Sequence, residues 1–521
     1  MKPEDLLALI GETSVEMVAD AEQETHRGPR QWIRRSAVLA ACLLLVVGIA
    51  GLRLSQAWPE AEAPAADGGG VGHAAGSVFM SYAGPILPLS LLDRNDDLTA
   101  ARSLTMDFAD GEVSAGTEEV WGNNGNGIQV LDTYTLTNSS ARAQTVTAVY
   151  PFSGNLQMTQ WPNVSVNGTV VDWELRIGGY SGGFRGAGDT QSSSLNLDRI
   201  VSWEGYECLL RDGSYAAEAF TEPDLPEQPV TVYVLSELSD GGSGLSAATM
   251  CMTIDYDREK TAILTRGFNG AGIQEGTGAE YRCCFIRDGL RSADLEKQYL
   301  IVLGEDLQDW SLQGYKDGGC QPGEELESAS GVVTRIETTL AEVLEEISRD
   351  RFDAISGNSF DGDRNRYLHN SISFDQYFGA ILRFFNAYGP GGTDPKQRYA
   401  DGRLDELLTE AAFLDRILYL TFELTISAGD DVQVQIHQHK AASFDFHCSG
   451  SENIGVEGYD LVPTLGSNLT FTEQTASLAN FGQIEIVGQN FGFDPAAGTT
   501  TVPLDPAIPH YWLEVRKKIS S

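Results

Sequence analysis

The acidic segment that begins at Asp361 has the spacing of a calcium-binding loop. Asp361, Asp363 and Asn365 take the first, third and fifth positions of such a loop, where oxygen ligands bind a hard cation. An EF-hand also needs glycine at its sixth position and glutamate at its twelfth, where this chain has Arg366 and Ile372. Because an isoleucine side chain cannot bind calcium, we predict a solvated acidic turn at this position.

Two histidines form a second candidate for metal chemistry. His437 and His439 alternate along a predicted strand and therefore share one face, and His447 and Cys448 follow closely in the sequence. Imidazole nitrogens and thiolates are ligands of zinc. A pair of histidines on one strand face is nevertheless more often part of a polar exterior. The sequence therefore predicts no metal site and no cofactor.

Hydrolytic chemistry has weak signals in this sequence. Residues Gly179–Gly183 carry the Gly-x-Ser-x-Gly letters of a hydrolase nucleophile elbow, which requires a helix directly after the serine. A glycine-rich loop follows instead, and it lacks the Lys-Ser/Thr pair of a phosphate-binding loop. Paired carboxylates for glycoside hydrolysis leave no local signature. We therefore assign no catalytic residue from the sequence.

Three tryptophans have the chemistry of a sugar-binding surface. Trp161, Trp173 and Trp203 could each stack on a sugar ring. Packing in the hydrophobic core explains large aromatic side chains equally directly, and we favour that interpretation.

The charge of the chain restricts its partners. The sequence has 74 acidic residues against 35 lysines and arginines, a net charge of −39. Such a surface repels phosphate backbones, so we expect no nucleic acid partner. Acidity commonly serves solubility, and it also suits the binding of divalent cations or basic ligands.

The cysteines could form a disulfide framework. Cys42 lies in an apolar run, and the other six cysteines allow three disulfides in fifteen connectivities. No CxxC spacing is present, which disfavours a zinc site. Cys283 and Cys284 are neighbours on a predicted strand, so their side chains should point to opposite faces.

Alternation of apolar and polar residues predicts antiparallel β-structure from residue 77 onward. It is clear at 130–137 and 145–150, which flank a short polar turn. Asn167-Gly168 separates two short β-branched runs, a pattern that predicts a tight hairpin. Residues 128–175 resemble bacterial surface β-sandwich modules, a likeness that implies a fold and no function.

Changes in composition divide the part of the chain after residue 76 into three regions. Residues 77–330 are predicted to be a β-sandwich-like exterior, 331–414 a helical insertion and 415–521 a C-terminal β region. Within the insertion, apolar residues from Val332 to Ile347 recur at helical spacing.

An apolar segment, residues 36–54, is uncharged up to Leu52 and is long enough to cross a bilayer if Arg53 extends to the surface. Arginines precede it and predict a cytoplasmic N-terminus; they are Arg27, Arg30, Arg34 and Arg35. A cleaved signal peptide and a buried core helix are the alternatives. The predicted fold class is therefore mainly β, an antiparallel sandwich-like exterior with a helical insertion, plus one transmembrane helix. Residues 55–76 are predicted to be a flexible linker.

The N-terminal tail, residues 1–35, contains two short amphipathic pieces. Their apolar faces are too small to fold alone and indicate a helix that docks on a cytosolic protein. A topogenic tail without a partner is the alternative.

The motif over 6–21, followed by basic residues, Trp32 and the apolar segment, resembles uncharacterised single-pass membrane proteins of Gram-positive bacteria with an anti-sigma-factor-like layout. The zinc-binding His-x-x-x-Cys-x-x-Cys motif of one anti-sigma group is absent from the sequence.

These observations predict a non-enzymatic, membrane-anchored extracytoplasmic sensor or regulator. Its expected partners are the bilayer and a cytosolic protein, such as a sigma factor, that binds the tail. A surface adhesin or carbohydrate-binding protein is the first alternative, and an extracytoplasmic hydrolase is the second. The expected location is the cell membrane, with the C-terminal domain outside. No extracellular ligand is indicated.

Overall fold

β-Strands dominate the fold, and along the long strands of its largest sheet, such as 98–107, 127–138 and 431–441, more buried and more exposed side chains alternate. The computed structural model describes residues 79, 81–109, 127–156, 161–180, 203–212, 214–273, 278–285, 297–356, 368, 371–390, 392, 401–413, 415–445 and 453–518. Residues 76–521 make up one unit by their contacts.

The strands in the described part of the chain are β1 (Pro85–Ile86), β2 (Ser90–Leu91), β3 (Leu98–Asp107), β4 (Gly127–Asn138), β5 (Gln144–Gly154), β6 (Asn163–Val166), β7 (Thr169–Val170), β8 (Glu174–Tyr180), β9 (Pro229–Ser239), β10 (Thr249–Asp255), β11 (Thr261–Arg266), β12 (Gly270–Ile273), β13 (Gly278–Cys284), β14 (Gln298–Gly304), β15 (Asp309–Tyr315), β16 (Ser330–Thr339), β17 (Arg416–Ile426), β18 (Asp431–Ala441), β19 (Glu457–Leu461), β20 (Thr470–Ala479), β21 (Ile484–Gln489), β22 (Thr501–Pro503) and β23 (Tyr511–Lys517). The helices are α1 (Trp203–Asp212), α2 (Ser214–Ala219), α3 (Leu340–Ile355), α4 (Phe374–Tyr388) and α5 (Leu404–Phe413), with short 3-10 helices at Phe481–Gln483 and Pro495–Ala497.

A seven-stranded sheet in the order β22-β20-β3-β4-β18-β6-β7 forms one layer of the first sandwich. Its inner face packs on two smaller sheets, β2-β5-β17-β8 and β1-β19-β23-β21, through two separate hydrophobic cores. Strands from the C-terminal region pair with early ones, because β17 lies beside β5, β18 beside β4, and β20 beside β3. The β20–β3 pair is parallel, and the other pairs of this sheet are antiparallel.

A buried ion pair separates the two cores. Arg102 and Asp132 are 1% and 0% exposed, and Arg102 Nε and Nη2 donate to the two carboxylate oxygens at 2.9 and 2.8 Å. Arg102 Nη1 also donates to the carbonyl of Val462 at 2.9 Å, and the Tyr134 hydroxyl donates to Asp132 at 2.7 Å. Burial opposes the charge of Arg102, but Asp132 outweighs it and the pKa of Arg102 is raised.

A second sandwich consists of the sheets β11-β14-β9-β16 and β12-β13-β10-β15. Its core contains Leu235, Met250, Met252 and Leu300. The other face of the β9–β14 sheet packs under helices α3, α4 and α5, whose apolar side chains continue into the core of the first sandwich. The helices therefore fill the space between the two sandwiches instead of standing apart as a cap.

The predicted helix over residues 331–351 is wrong in its first half. Residues 330–339 form strand β16, which pairs with β9, and helix α3 begins only at Leu340. Thr339 is the N-cap, and its side chain and that of Glu342 form a reciprocal capping box. The stretch before the cap is rich in valine, isoleucine and threonine, whose branched β-carbons favour a strand.

The predicted hairpin is confirmed. Asn167 and Gly168 have φ of 49° and 77°, and Val166 pairs with Thr169 across the turn. The turn also contacts β18, because Asn167 Oδ1 accepts from the backbone N–H of Gln433 at 2.9 Å.

Replacing Gly168 with valine should destabilise this turn. No heavy atom lies within 4 Å of the added Cβ, so the cost comes from the positive φ alone. We expect the free energy of unfolding to fall by roughly 1 kcal/mol or more, measured by urea denaturation. Gly168→Asn, which tolerates positive φ, is the control. Equal stability of the valine variant and the wild type would contradict a strained turn.

The predicted fold class is corrected in one respect, its transmembrane helix. No helix in the part of the chain that the structure describes is both long and apolar enough to cross a membrane. Of these described helices α3 is the longest, with 16 residues; it would extend about 24 Å, less than a hydrocarbon core of about 30 Å. The predicted single-pass location, with a cytoplasmic N-terminus and an extracytoplasmic exterior, is withdrawn with it. The segment 36–54, the tail 1–35 and the linker 55–76 lie outside the described residues.

Candidate binding pocket on the small sheet

Alternation along β19 and β23 sends two sets of side chains to opposite faces of the small sheet. Tyr459, Leu461, Leu513 and Val515 enter the core against the seven-stranded sheet. The residues between them face the other way, and the strand register places Asp460 beside Trp512 and Gly458 beside Glu514. This outer face forms a small pocket, lined by Phe79, Trp203, Gly458, Tyr459, Asp460, His510, Trp512, Leu513 and Glu514.

Two glycines make room for the aromatic rings of the pocket. A Cβ on Gly458 would lie 2.4 Å from the ring of Phe79, and one on Gly488 would lie 2.8 Å from the ring of Trp512. Both distances are shorter than side chains tolerate. Glycine at these positions therefore allows Phe79 and Trp512 to lie flat against the sheet.

His510 and Trp203 form one wall of the pocket. Their rings stack with centroids 4.6 Å apart and an interplanar angle of 7°. His510 Nε2 lies 3.0 Å from Asp460 Oδ1, within ion-pair distance but without hydrogen-bond geometry. Burial, followed by the nearby Asp460 carboxylate, raises the pKa of Tyr82. Asp460 therefore lies near an imidazole and a phenol.

Lys440 anchors the chain segment that carries Tyr82. Its ammonium is buried and donates to the carbonyl of Ala83 at 2.7 Å and to Ser153 Oγ at 3.3 Å. Burial lowers the pKa of Lys440 to about 8, although Asp460 and Asp415 oppose the shift. The ammonium of Lys440 is thus committed to the backbone at Ala83 and to Ser153.

Glu514 differs from the other acidic residue of the pocket. The residue as a whole is 9% exposed, and among the described residues we find no hydrogen bond or ion pair to its carboxylate. A built Cβ on Gly488 would lie 3.2 Å from Glu514 Oε2, so the carboxylate lies over the glycine beside the Trp512 ring. Buried carboxylates are normally paired. Glu514 is therefore a charge that a ligand could neutralise.

The pocket has room for about one water-sized group. Its walls are aromatic rings, whose faces attract cations, and it contains an unpaired carboxylate. This combination suits a compact, positively charged group, and it is too small for a sugar ring.

The tryptophans named from the sequence separate into two places. Trp161 and Trp173 stack on each other at 5.9 Å and pack against the first core. Trp203, 7% exposed, instead joins the pocket. No single aromatic surface contains all three.

The other candidate residues do not meet in one site. His437 and His439 lie on β18, where burial lowers the pKa of His439. Asp361, Asp363 and Asn365, and His447 with Cys448, lie outside the described residues, as does Ser181. Within the described ranges, no group of three or more histidine, cysteine, aspartate or glutamate side chains is arranged to hold a metal ion.

No family model, curated protein or solved structure matches this chain. The function is therefore argued from the geometry of the pocket.

Proposed function

We propose that this chain is a non-enzymatic binding protein that recognises a primary ammonium group, such as a lysine side chain or the end of a polyamine. The carboxylate of Glu514, which has no partner among the described residues although the residue is largely buried, carries this proposal. An ammonium group is close to water in size, which matches the room in the pocket. It could donate to Glu514 while the rings of Trp203 and Trp512 face its charge.

Two further properties support binding rather than hydrolysis. A glycosidase must hold sugar rings on both sides of the bond that it breaks, and the pocket is too small for one ring. The net charge of −39 also draws cations toward the surface and raises their local concentration.

The sensor function expected from the sequence remains a proposal, now with an ammonium group as its ligand. The β unit would detect the ammonium ligand, and a partner bound to the tail would read out its occupancy. The carbohydrate-binding alternative predicts a neutral ligand instead, so the charge of the ligand separates the two proposals.

The test compares n-butylammonium with n-butanol, a neutral probe of similar shape, by isothermal titration calorimetry on the full chain. We expect the ammonium to bind and the alcohol to bind at least about 10-fold more weakly. Glu514→Gln should weaken ammonium binding by about 10- to 100-fold, since a charge-assisted hydrogen bond contributes about 1.5–3 kcal/mol. The free energy of unfolding of this variant should not fall, because the change removes no hydrogen bond or ion pair within the described part of the chain.

Glu485→Gln is the matched control. Glu485 is exposed on β21 of the same sheet and does not line the pocket. The control removes the same charge and should keep the wild-type affinity. Equal binding of butanol and butylammonium, or unchanged affinity in Glu514→Gln, would overturn the proposal. Binding of a neutral disaccharide in place of the ammonium would favour the carbohydrate alternative.

A further inference from the structure

The segment 316–325, called the strap here, lies on the outer face of the sheet β12-β13-β10-β15. Met250 and Met252 of β10 point into the core of the second sandwich, so Thr249 and Cys251 point outward. Arg282, which pairs with Cys251 across β13 and β10, donates to the carbonyl of Gly318 in the strap at 2.9 Å. A bridge between Tyr315 and Glu325 closes the base of the strap.

Cys320 is the inward-facing residue of the strap. Residues 316–319 and 321–325 are exposed, whereas Cys320 is half-buried. Its φ of 48° is in the left-handed region, which costs energy for a residue with a Cβ. The backbone is therefore strained at Cys320, the position whose thiol turns toward the sheet.

Cys251 lies on the face of the sheet that the strap covers. It is 2% exposed, and the nearby Cys320 thiol adds to the rise of its pKa. Cys320 Sγ itself donates to the carbonyl of Asp317 in the strap, at 3.8 Å. Both are free thiols, as are the other three cysteines that the structure describes. Cys283 points into the core, and Cys284 belongs to the outer face beside Thr249. The pair 251–320 is thus distinguished by position, since Cys320 turns from the strap toward the face that carries Cys251, and by unequal access to solvent.

We propose that Cys251 and Cys320 are a reversible dithiol site, which low-molecular-weight disulfides oxidise to a bond that fastens the strap to the sheet. Half-buried Cys320 is the thiol that an external disulfide can reach. Buried Cys251 is the resolving thiol, reached only from Cys320.

The reaction is a double thiol–disulfide exchange. The thiolate of Cys320 attacks one sulfur of the small disulfide, forming a mixed disulfide and releasing one small thiolate. Cys251 then loses its proton and attacks Sγ of Cys320, which releases the second small thiolate. The two protein protons end on the two small thiols, and two electrons pass from the protein to the oxidant.

Burial and a neighbouring guanidinium shift the pKa values of the two thiols. Burial raises the pKa of Cys320, and the guanidinium of Arg282 opposes that rise. Burial raises the pKa of Cys251 to about 12, so the resolving thiol is protonated at neutral pH. Oxidation should therefore accelerate as pH rises, because the thiolate is the attacking species.

The test uses the full chain treated with oxidised glutathione, alkylated with N-ethylmaleimide and digested without reduction. We expect a cross-linked peptide pair containing Cys251 and Cys320, and the loss of two alkylatable thiols. Trypsin cleavage after Lys316 in the folded protein should slow at least about 5-fold on oxidation and recover with dithiothreitol. Slower cleavage after Lys316 would report that the strap is fastened to the sheet.

Cys284→Ser is the matched control, since it removes a neighbouring thiol from the same face and should leave both results unchanged. Cys320→Ser should abolish both. Recovery of Cys320 only as its glutathione adduct, a cross-link from Cys251 to any other cysteine, or unchanged cleavage after Lys316 would overturn the proposal.

Discussion

Replacing Asp132 with alanine is expected to lower the free energy of unfolding by about 3–5 kcal/mol. The change leaves Arg102 charged, fully buried and without its carboxylate, with the hydroxyl of Tyr134 also deprived of its acceptor. An uncompensated buried charge is among the most destabilising single changes in a protein. Urea denaturation followed by tryptophan fluorescence measures the effect.

A double-mutant cycle separates the pair from its neighbours. Arg102→Met combined with Asp132→Ala should cost less than the sum of the two single variants, by at least about 1.5 kcal/mol. Asp96→Ala is the exposed control, because the Arg94–Asp96 pair has side chains 72% and 79% exposed and should contribute no more than about 1 kcal/mol. Additive single variants would show that the two charges do not depend on each other.

The stability of the chain should rise with pH between about 8 and 10.5 through Lys440. Its pKa is about 8 in the folded chain and 10.5 when unperturbed. In this window the unfolded chain binds more protons than the folded one, so raising the pH favours the folded state. Below pH 8 both states bind the proton, and the folded state bears the cost of a buried ammonium.

The comparison with Lys440→Met isolates this contribution from other groups. From pH 7 to pH 9.5, the free energy of unfolding of the wild type should gain about 2 kcal/mol relative to the variant. Lys518→Met, at an exposed position, should follow the wild-type profile. A constant difference between wild type and Lys440→Met across this range would contradict a lowered pKa at Lys440.

The β-strands could be predicted from the sequence because their signal is local. Alternation identified β4 and β5, and Asn-Gly identified the hairpin of β6 and β7. Helix α4 lies within the predicted helical insertion 331–414, but it was not predicted from the sequence as a separate helix. Its capping box, with Ser373 and Gln376, was present as a signal. The error at β16 arose because apolar residues at 332, 333 and 336 fit helical spacing as well as a strand.

The pocket could not be predicted, because its residues meet only through tertiary pairing. Asp460 and Trp512 are about fifty positions apart and become neighbours through the register of β19 with β23. Trp203 reaches them from a helix in a different part of the chain. A single carboxylate in a chain of 74 acidic residues carries no local mark of its function. Cys251 and Cys320 likewise show no recognisable spacing.

The parallel pairing of β3 with β20 affects how this protein folds while it is being synthesised on the ribosome. At about 5–20 residues per second, β3 emerges roughly 20–75 s before β20 is made. During that interval one edge of β3 lacks its final partner strand, and one edge of β5 similarly lacks β17. Such distant pairings slow folding and leave strand edges open to wrong partners. We expect the nascent chain to depend on chaperones that shield these edges until β17 and β20 have been made.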